Sequence, residues 1–354
     1  MVGRRNPDAL LQCNTYLRTF DVAGKRDTHW CIDPGSQLDY AEVRRHLIMH
    51  LGSLAELSYF SLNHQDPDVV ANLVPLTEEN ASLTGFVSED AWRLVRHLGA
   101  RPKELRFAHR FRGEKIDFAG GHRVLTVPTP FCHFRGAMAF YDLESRVLFS
   151  GDLFGGLNDP GRLQLWAEEE DWPGIAIFHQ IYMPSREAVA YAVNQIRALD
   201  PPVEVIAPQH GFVLRGQFMH DVMERLERLP VGMDRLPREL DDEFLDRYQV
   251  VFQQAIEIAT AHFGRPEVLR RLSFRDEKPP ETATCIRVTP TDATLLTEGI
   301  QVLPWLVDVL SEGESPAFRN TLKLSVLEAC LQQNVPLPQI APGMETEETD
   351  RWIG

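Results

Sequence analysis

A histidine and two aspartates stand at alternate positions directly after an apolar segment, and this short motif constrains the chain most. The run 57–62 is typical of a strand, and His64, Asp66 and Asp68 follow it. In extended chain, residues two apart point to the same side, so one imidazole and two carboxylates converge. Pro67 stiffens the loop between the acids. Mixed nitrogen and oxygen donors favour iron or manganese over calcium or magnesium; an acidic surface loop is the alternative.

Three more residues of the ligand type stand at predicted strand ends. His133, Asp152 and His210 each come directly after an apolar segment and beside a turn. Strand ends on one rim of a sheet are where sites are assembled. Each residue alone is equally typical of a cap or a turn. Their occurrence together with the first motif favours one shared metal site.

The composition limits the classes of protein. The net charge of -15 argues against binding to nucleic acid. No apolar run approaches the roughly 20 residues of a membrane span, and the N-terminal segment has no signal-peptide core. The five cysteines are scattered and contain no CxxC pair, which favours free thiols over a disulfide scaffold or a thiolate metal site. We expect a cytoplasmic protein.

Strands and helices interleave through the first two thirds of the chain. Ser88 and Ser185 each precede a helical segment as N-caps, and two halves that each end in a strand and a helix indicate an α/β fold of the αββα sandwich type. The strands are predicted over 13–20, 28–32, 57–62, 83–87, 106–118, 121–128, 137–142, 146–150 and 203–207, and the helices over 40–51, 68–74, 89–98 and 185–199.

The character of the chain changes after about residue 234. Apolar residues at helical spacing predict helices over 239–263, 292–310 and 316–333. Segment 275–284 is predicted to be a linker, and the acidic tail 344–354 to fray. We therefore expect two domains, 1–234 and 235–354. The apolar stripe of the helix predicted over 239–263 is typical of a core, a dimer interface or a partner interface.

Several segments together resemble the metallo-β-lactamase superfamily and, more closely, the metal-binding domain of flavodiiron proteins. The resemblance covers about residues 10–230, with the segments in matching order. It is carried by Cys13–Leu17, Ile32–Gly35, His64–Val69, Thr129–His133, Leu148–Gly155 and Ala207–Gly211.

The resemblance implies two iron ions in an Fe–O–Fe type centre, with zinc or manganese as alternatives. Carried over by position, His64, Asp66 and His133 would bind one iron, Asp68 and His210 the other, and Asp152 would bridge them. Asp66 replaces the family's glutamate, and Val69 stands where the family has a histidine. The second metal would keep three ligands, with a water, His179 or Tyr182 near the open position.

Flavodiiron proteins carry a C-terminal flavodoxin domain, whereas residues 235–354 contain no Ser/Thr/Asn-rich phosphate loop after a buried strand. The chain is thus similar to the flavin-free oxygen-binding diiron proteins, which implies a sensor or carrier of O2 without FMN. An O2 or NO reductase served by a separate electron donor is one alternative, and a zinc-dependent hydrolase is another. The expected partners are O2 or NO, a signalling or electron-transfer protein, and a second copy of the chain.

Aromatic and acidic residues near the predicted ligands are weaker candidates. Trp166, Glu168 and Trp172 follow Asp152 and suit either a lid over the metals or an exposed acidic loop. Three phenylalanines flank ligands and suit an apolar shell that limits solvent access. They are Phe131, Phe154 and Phe212.

Overall fold

The strands predicted in the first two thirds of the chain form two sheets. The computed structural model describes residues 1–3, 9–21, 27–108, 115–235, 244–273, 285–296 and 299–340. One sheet has the order β1-β2-β3-β4-β5, with strands Tyr16–Phe20, Thr28–Ile32, Leu57–Ser61, Thr84–Val87 and Glu104–Phe107. The other has the order β11-β10-β9-β8-β7-β6, where β6 to β11 are Lys115–Asp117, Arg123–Pro128, Met138–Asp142, Val147–Gly151, Val205–Pro208 and Leu214–Arg215.

An aromatic core lies between the two sheets. Trp30 of β2 meets Phe140 of β8 and Phe149 of β9 edge to face, with ring centroids 5.8 and 5.5 Å apart. These residues belong to one buried cluster drawn from both sheets. Side chains alternate along a strand, so Cys31, between Trp30 and Ile32, points to the other face of its sheet. This packing makes the pair of sheets a sandwich.

Helices cover the outer faces of both sheets. Those of the first sheet share a second apolar cluster with β3, and they are α1 Tyr40–Leu51, α2 Pro67–Val70, α3 Leu73–Glu79 and α4 Glu89–Val95. Beyond β9 follow α5 Trp172–Tyr182, α6 Arg186–Arg197 and α7 Gly216–Arg228, of which α6 contacts β7 and α7 contacts β10. Ser88 and Ser185 accept hydrogen bonds from the first turns of α4 and α6, as predicted. The αββα fold is confirmed.

Strand direction decides where the candidate residues lie. Strands β2, β3, β4 and β5 run parallel to one another, and β9 runs parallel to β10. The segments that leave the carboxyl ends of β9 and β10 carry Asp152 and His210. His64 leaves the carboxyl end of β3 in the same way. Parallel neighbours end at one edge, so Asp152 and His210 start close together.

Residues from Arg235 onward form most of a second compact unit. It consists of Pro7–Leu11, Leu157–Arg162 and Arg235–Gly354, as far as these are described. Its helices are α8 Leu245–Phe263, α9 Arg265–Leu272, α10 Gly299–Ser311 and α11 Pro316–Gln332, and Ile286–Val288 (β12) pairs antiparallel with Ala293–Leu295 (β13). Phe252, Leu306 and Leu327 are fully buried in this unit. Among the described helices of the whole chain, none is long and apolar enough to cross a membrane.

The structure differs from several predicted elements. The helix predicted over 68–74 is divided into α2 and α3. The strand predicted over 106–118 is divided between β5 in one sheet and β6 in the other. The helix predicted from 292 begins at Gly299, because Ala293–Leu295 pairs with β12 instead. Helices α5, α7 and α9 were not predicted. The linker 275–284 lies outside the described residues, as do the tail 344–354 and the start of the helix predicted from 239.

Candidate metal centre

Two groups of three donor side chains lie at the edge where the strands end. Within each group the donor atoms lie within 4.8 Å of one another. The first group is His64, Asp66 and His133, and the second is Cys13, Asp68 and His210. Five of these six residues are ligands that the sequence predicts. Cys13 is the addition.

The carboxylate of Asp152 contacts both groups. Its Oδ2 lies 3.0 Å from Nε2 of His133, and its Oδ1 lies 3.5 Å from Nε2 of His64. On the other side the same Oδ1 lies 3.4 Å from Nε2 of His210. Asp152 therefore contacts histidines of both groups, and its bridging of two metals stays a prediction.

Asn63 fixes the point at which His64 leaves its strand. The Asn63 side-chain amide donates to the carbonyl oxygens of Met138 and Phe149, at 2.7 and 2.9 Å, on strands of the other sheet. Gly151 adopts a φ of +64°, and a Cβ there would lie 2.8 Å from that of Asn63. Only glycine suits both the conformation and the space. The chain segments that carry His64 and Asp152 are thus tied to each other.

The N-terminal segment holds His210. Nδ1 of His210 lies 2.8 Å from the carbonyl oxygen of Gln12, which only accepts, so Nδ1 carries the proton and Nε2 faces the carboxylates. The Asn14 amide donates to the carbonyls of Pro208 and Gly211, both at 2.9 Å. Metal-binding histidines are usually oriented by such a bond from the second ring nitrogen.

Histidines and carboxylates shift one another's pKa values strongly. Burial raises the pKa of Asp152, but His64, His133 and His210 outweigh burial and hold that pKa well below its usual range. Burial lowers the pKa of His133, but hydrogen bonds to Asp152 and Asp66 outweigh it and raise the pKa to about 10. The pKa of His210 is raised well above its usual value, also against burial. The carboxylates therefore make a strong cation-attracting field.

Two buried atoms of the centre have no hydrogen-bond partner. They are Nε2 of His64 and Oδ1 of Asp152, and both belong to side chains at most 4% exposed. A buried polar atom without a partner is rare and calls for an explanation such as a bound ion. Imidazole, carboxylate and thiol donors suit first-row metals such as iron, cobalt or zinc. The residues present thus fit a pair of such ions.

His179, predicted near the open position, uses both ring nitrogens elsewhere. Its Nδ1 donates to the carbonyl of Ile175 at 2.8 Å, and its Nε2 accepts from the backbone amide of Phe154 at 3.0 Å. Burial lowers the pKa of His179 to about 4, so the ring is neutral at pH 7. It holds the turn after Asp152 and has no nitrogen left for a metal.

Val69 and Tyr182, the other residues predicted near the open position, differ in placement. Val69 is fully buried in an apolar cluster with Leu62 and Leu73, and its side chain has no donor atom. The Tyr182 ring lies 6.2 Å from the His133 ring, between centroids, and is half-buried. Tyr182 therefore stands beside the first group, while Val69 belongs to the core.

The aromatic candidates have mostly structural places. The Trp166 ring packs under the guanidinium of Arg215 at 3.8 Å, and Trp172 begins α5. Glu168 caps the turn before α5 through Asp171. Phe154 and Phe212 are buried as predicted for an apolar shell, but Phe131 is 51% exposed. The sequence reasoning missed Phe178, whose ring lies 5.3 Å from the His210 ring.

Cys13 is the other residue that the sequence reasoning missed. Its thiol lies 3.6 Å from Oδ2 of Asp68, 55 residues away in the chain, and burial raises its pKa to about 11. The sequence argued against a thiolate site because it has no CxxC pair. All five cysteines are free, as expected, but Cys13 reaches the centre alone from the start of the first sheet.

A protein family and curated proteins match the part of the chain that carries these residues. The family described as ODP family beta lactamase matches residues 11–211. The anaerobic nitric oxide reductase flavorubredoxin of Aliivibrio fischeri is 26% identical over 179 residues, which are 48% of this chain and 36% of the relative. The chain thus spans about a third of the length of such curated relatives.

Solved structures share the fold. A peroxy diiron species of the chemotaxis sensor ODP is 24% identical and has a TM-score of 0.51, with 63% of this chain and 90% of that chain covered. The apo state of chemotaxis sensor ODP from T. denticola is 23% identical and has a TM-score of 0.51, with 62% of this chain and 97% of that chain covered. The metal-soaked Flv1 flavodiiron core from Synechocystis sp. PCC6803 is 19% identical and has a TM-score of 0.53, with 74% of this chain and 67% of that chain covered.

His179 predicts a pH dependence of stability. Its pKa is lowered from 6.5 to about 4 in the folded chain, so the unfolded state takes up the proton first and stability is lost as the pH falls below 6.5. Between pH 7.5 and pH 5 this loss is about 2 kcal/mol. The side chain of His179→Gln carries an amide and does not titrate. We therefore expect the free energy of unfolding of the metal-free variant, measured in urea, to fall by about 2 kcal/mol less than that of the metal-free wild type between pH 7.5 and pH 5. Equal losses in the two proteins contradict the assignment.

Proposed function

The chain belongs to the ODP family beta lactamase family, and we propose that it is a non-haem diiron protein that binds O2 as a sensor or carrier. The observation that carries the proposal is Asp152, whose carboxylate contacts both donor groups and has a buried oxygen without a partner. A relative of the same fold, the chemotaxis sensor ODP, holds a diiron species.

We assign His64, Asp66 and His133 to one iron, Asp68 and His210 to the other, and Asp152 to both. The contacts within each group support this division. Three carboxylates offset three of the four positive charges of two ferrous ions and reduce their mutual repulsion. When bound, iron supplies the redox chemistry by which a diatomic ligand such as O2 is held. Zinc and manganese are the alternative metals.

The surrounding residues orient the donors and keep water away. The carbonyl of Gln12 fixes which nitrogen of His210 carries the proton. His179 holds the backbone of the turn that presents Asp152. Phe178, almost fully buried, forms an apolar wall beside His210. The hydroxyl-bearing ring of Tyr182 packs on Phe178 with 4.7 Å between centroids and lies beside His133. Such an apolar surrounding tunes the metals and their ligand access.

A reductase of O2 or NO is the second candidate. The curated relative of Aliivibrio fischeri is named an anaerobic nitric oxide reductase, and this favours NO as a second ligand. In this candidate the chain takes electrons from a separate electron-transfer protein. A sensor, in contrast, binds its ligand and passes the signal to a signalling protein without turnover. The two candidates thus differ in whether electrons flow continuously.

We also propose that residues 1–234 are the metal domain and that residues 235–354 serve as a dimer or partner interface in the cytoplasm. The described helices after Arg235 have their own buried apolar residues and contribute none of the donors of either group. The five free thiols suit a reducing compartment.

Iron reconstitution and oxygen exposure test the proposed function. The chain loaded with Fe(II) without oxygen should hold two irons and develop a visible absorption band in air. For a sensor or carrier, one oxygen equivalent is bound per centre, and added reduced rubredoxin gives no sustained oxygen consumption. Steady consumption of O2 or NO with that donor favours the reductase. A chain that holds two zinc ions and hydrolyses esters, with no band in air, contradicts both.

Asp152 is predicted to be needed by both metals. In Asp152→Ala the iron content should fall from two per chain to one or none, because the shared carboxylate and its charge are lost. The matched control is Asp142→Asn, since that buried carboxylate pairs with Arg18 at 2.7 Å and is on β8. The control should keep two irons. Full iron content in Asp152→Ala, measured with the folded state confirmed by circular dichroism, counts against a bridging carboxylate.

The interface role of residues 235–354 predicts a dimer. One chain has a mass of 40.3 kDa, and light scattering of the full chain at micromolar concentration should give twice that mass. The mass should not depend on iron, because the described residues after Arg235 contribute no donor to either group. A monomeric mass at every concentration contradicts the dimer and leaves a partner protein as the molecule that binds residues 235–354.

A further inference from the structure

The metal ligands predicted from the sequence leave one position of the second metal without a donor, and the Cys13 thiol lies on that side of the centre. The donors predicted from the sequence for the second metal are Asp68, His210 and the shared Asp152, and Val69 stands where the family has a histidine. Val69 points into the apolar core, so the missing donor does not come from that position. The thiol of Cys13 lies on this side of the centre instead, within 4.8 Å of the donor atoms of Asp68 and His210.

The separations of these donors fit one ion. Bonds of about 2.0–2.3 Å at tetrahedral angles place two donors roughly 3.3–3.8 Å apart. Oδ2 of Asp68 lies 3.6 Å from the Cys13 sulfur and 3.6 Å from Nε2 of His210. Nε2 of His210 lies 3.4 Å from Oδ1 of Asp152. These three separations match the spacing of neighbouring donors around one ion.

A second observation points to a ligand at this place. Oδ1 of Asp152 is buried and has no hydrogen-bond partner, and its side chain is 4% exposed. This oxygen faces His210 and is the acceptor that a cation between Cys13, Asp68 and His210 would satisfy. The thiol is therefore accompanied by a buried carboxylate oxygen that makes no hydrogen bond within the chain.

The backbone around Cys13 is held by the same contacts that hold His210. The carbonyl of Gln12, just before Cys13, accepts from Nδ1 of His210 at 2.8 Å. The backbone amide of Asn14, just after Cys13, donates to the carbonyl of Gln209 at 2.6 Å. Cys13 is thus fixed on both sides to the loop of His210. This fixes the thiol relative to the imidazole before any ion binds.

We propose that Cys13 is the fourth donor to the second metal, as a thiolate beside Asp68, His210 and Asp152. The inference rests on the proposed dinuclear centre. On binding, the Cys13 S–H bond breaks, its proton leaves to solvent, and a metal–sulfur bond forms with no change of oxidation state. The thiolate joins Asp66, Asp68 and Asp152, so four anionic donors balance two divalent cations. A histidine at the same place leaves one positive charge uncompensated.

The thiolate also changes which ions the second position accepts. Soft sulfur favours Fe(II), Co(II) and Zn(II) over Mn(II) and Mg(II), whereas the first group offers only nitrogen and oxygen. The two positions of the centre thus differ chemically. An anionic sulfur donor such as Cys13 would favour the higher oxidation state of an iron bound at the second position.

Cobalt substitution tests the thiolate ligand directly. The metal-free full chain is titrated with Co(II) under nitrogen, and cobalt content and absorption are recorded together. We expect two cobalt ions per chain and a near-ultraviolet thiolate-to-cobalt band that grows with one of them. In Cys13→Ser that band is absent, and the affinity for this cobalt falls at least about tenfold, while the other cobalt binds as before.

Cys132→Ser is the matched control. Cys132 is buried directly before His133, and its thiol donates to the carbonyl of Ala188 at 3.5 Å. This variant should keep the thiolate band. Two bound cobalt ions with no thiolate band in the wild-type chain overturn the assignment of Cys13 and leave the dinuclear centre intact. Failure to bind two cobalt ions overturns the centre itself and the Cys13 ligand with it.

Alkylation gives a second readout that needs no variant. Iodoacetamide labelling followed by peptide mapping should modify Cys13 in the metal-free chain and spare it once two Co(II) ions are bound. The other four cysteines are buried and serve as internal references. Labelling of Cys13 at the same rate with and without cobalt contradicts a metal–sulfur bond.

Discussion

The whole centre depends on one buried carboxylate. Asp152 lies between three histidine nitrogens at 3.0 to 3.5 Å and is almost inaccessible to solvent. Burying an unpaired carboxylate costs several kcal/mol, so the fold has to supply positive partners around it. Histidines from three separate segments do so in the metal-free chain. Two metal ions would do so more fully, since each carries more charge than a shared proton.

The architecture brings those segments together. His64 leaves the first sheet, whereas Asp152 and His210 leave the second, so the centre requires both sheets to be packed on their common aromatic core. Asn63 links the two sheets beside His64, and Gly151 permits its close approach. A change in the core spacing would therefore move donors on one side of Asp152 relative to those on the other. Fold stability and site geometry are coupled for this reason.

The fold could be predicted and the donors could be proposed from the sequence, because strand periodicity, N-caps such as Ser88 and the spacing from His64 to Asp68 are local signals. It was insufficient where the deciding contact is distant in the chain. Cys13 meets Asp68 across 55 residues with no motif between them. Likewise, helical spacing over 292–310 includes β13, and only its pairing with β12 distinguishes this strand from a helix. His179 was a candidate near the open metal position, and only its two hydrogen bonds show that it supports a turn.

The most direct measurement of the central claim is anomalous X-ray scattering from a crystal of the iron-loaded chain, recorded on both sides of the iron absorption edge. We expect two iron peaks on opposite sides of the Asp152 carboxylate. One should be surrounded by His64, Asp66 and His133, and the other by Asp68, His210 and the sulfur of Cys13. A single peak, or peaks that appear at the zinc edge and are absent at the iron edge, would contradict a diiron centre.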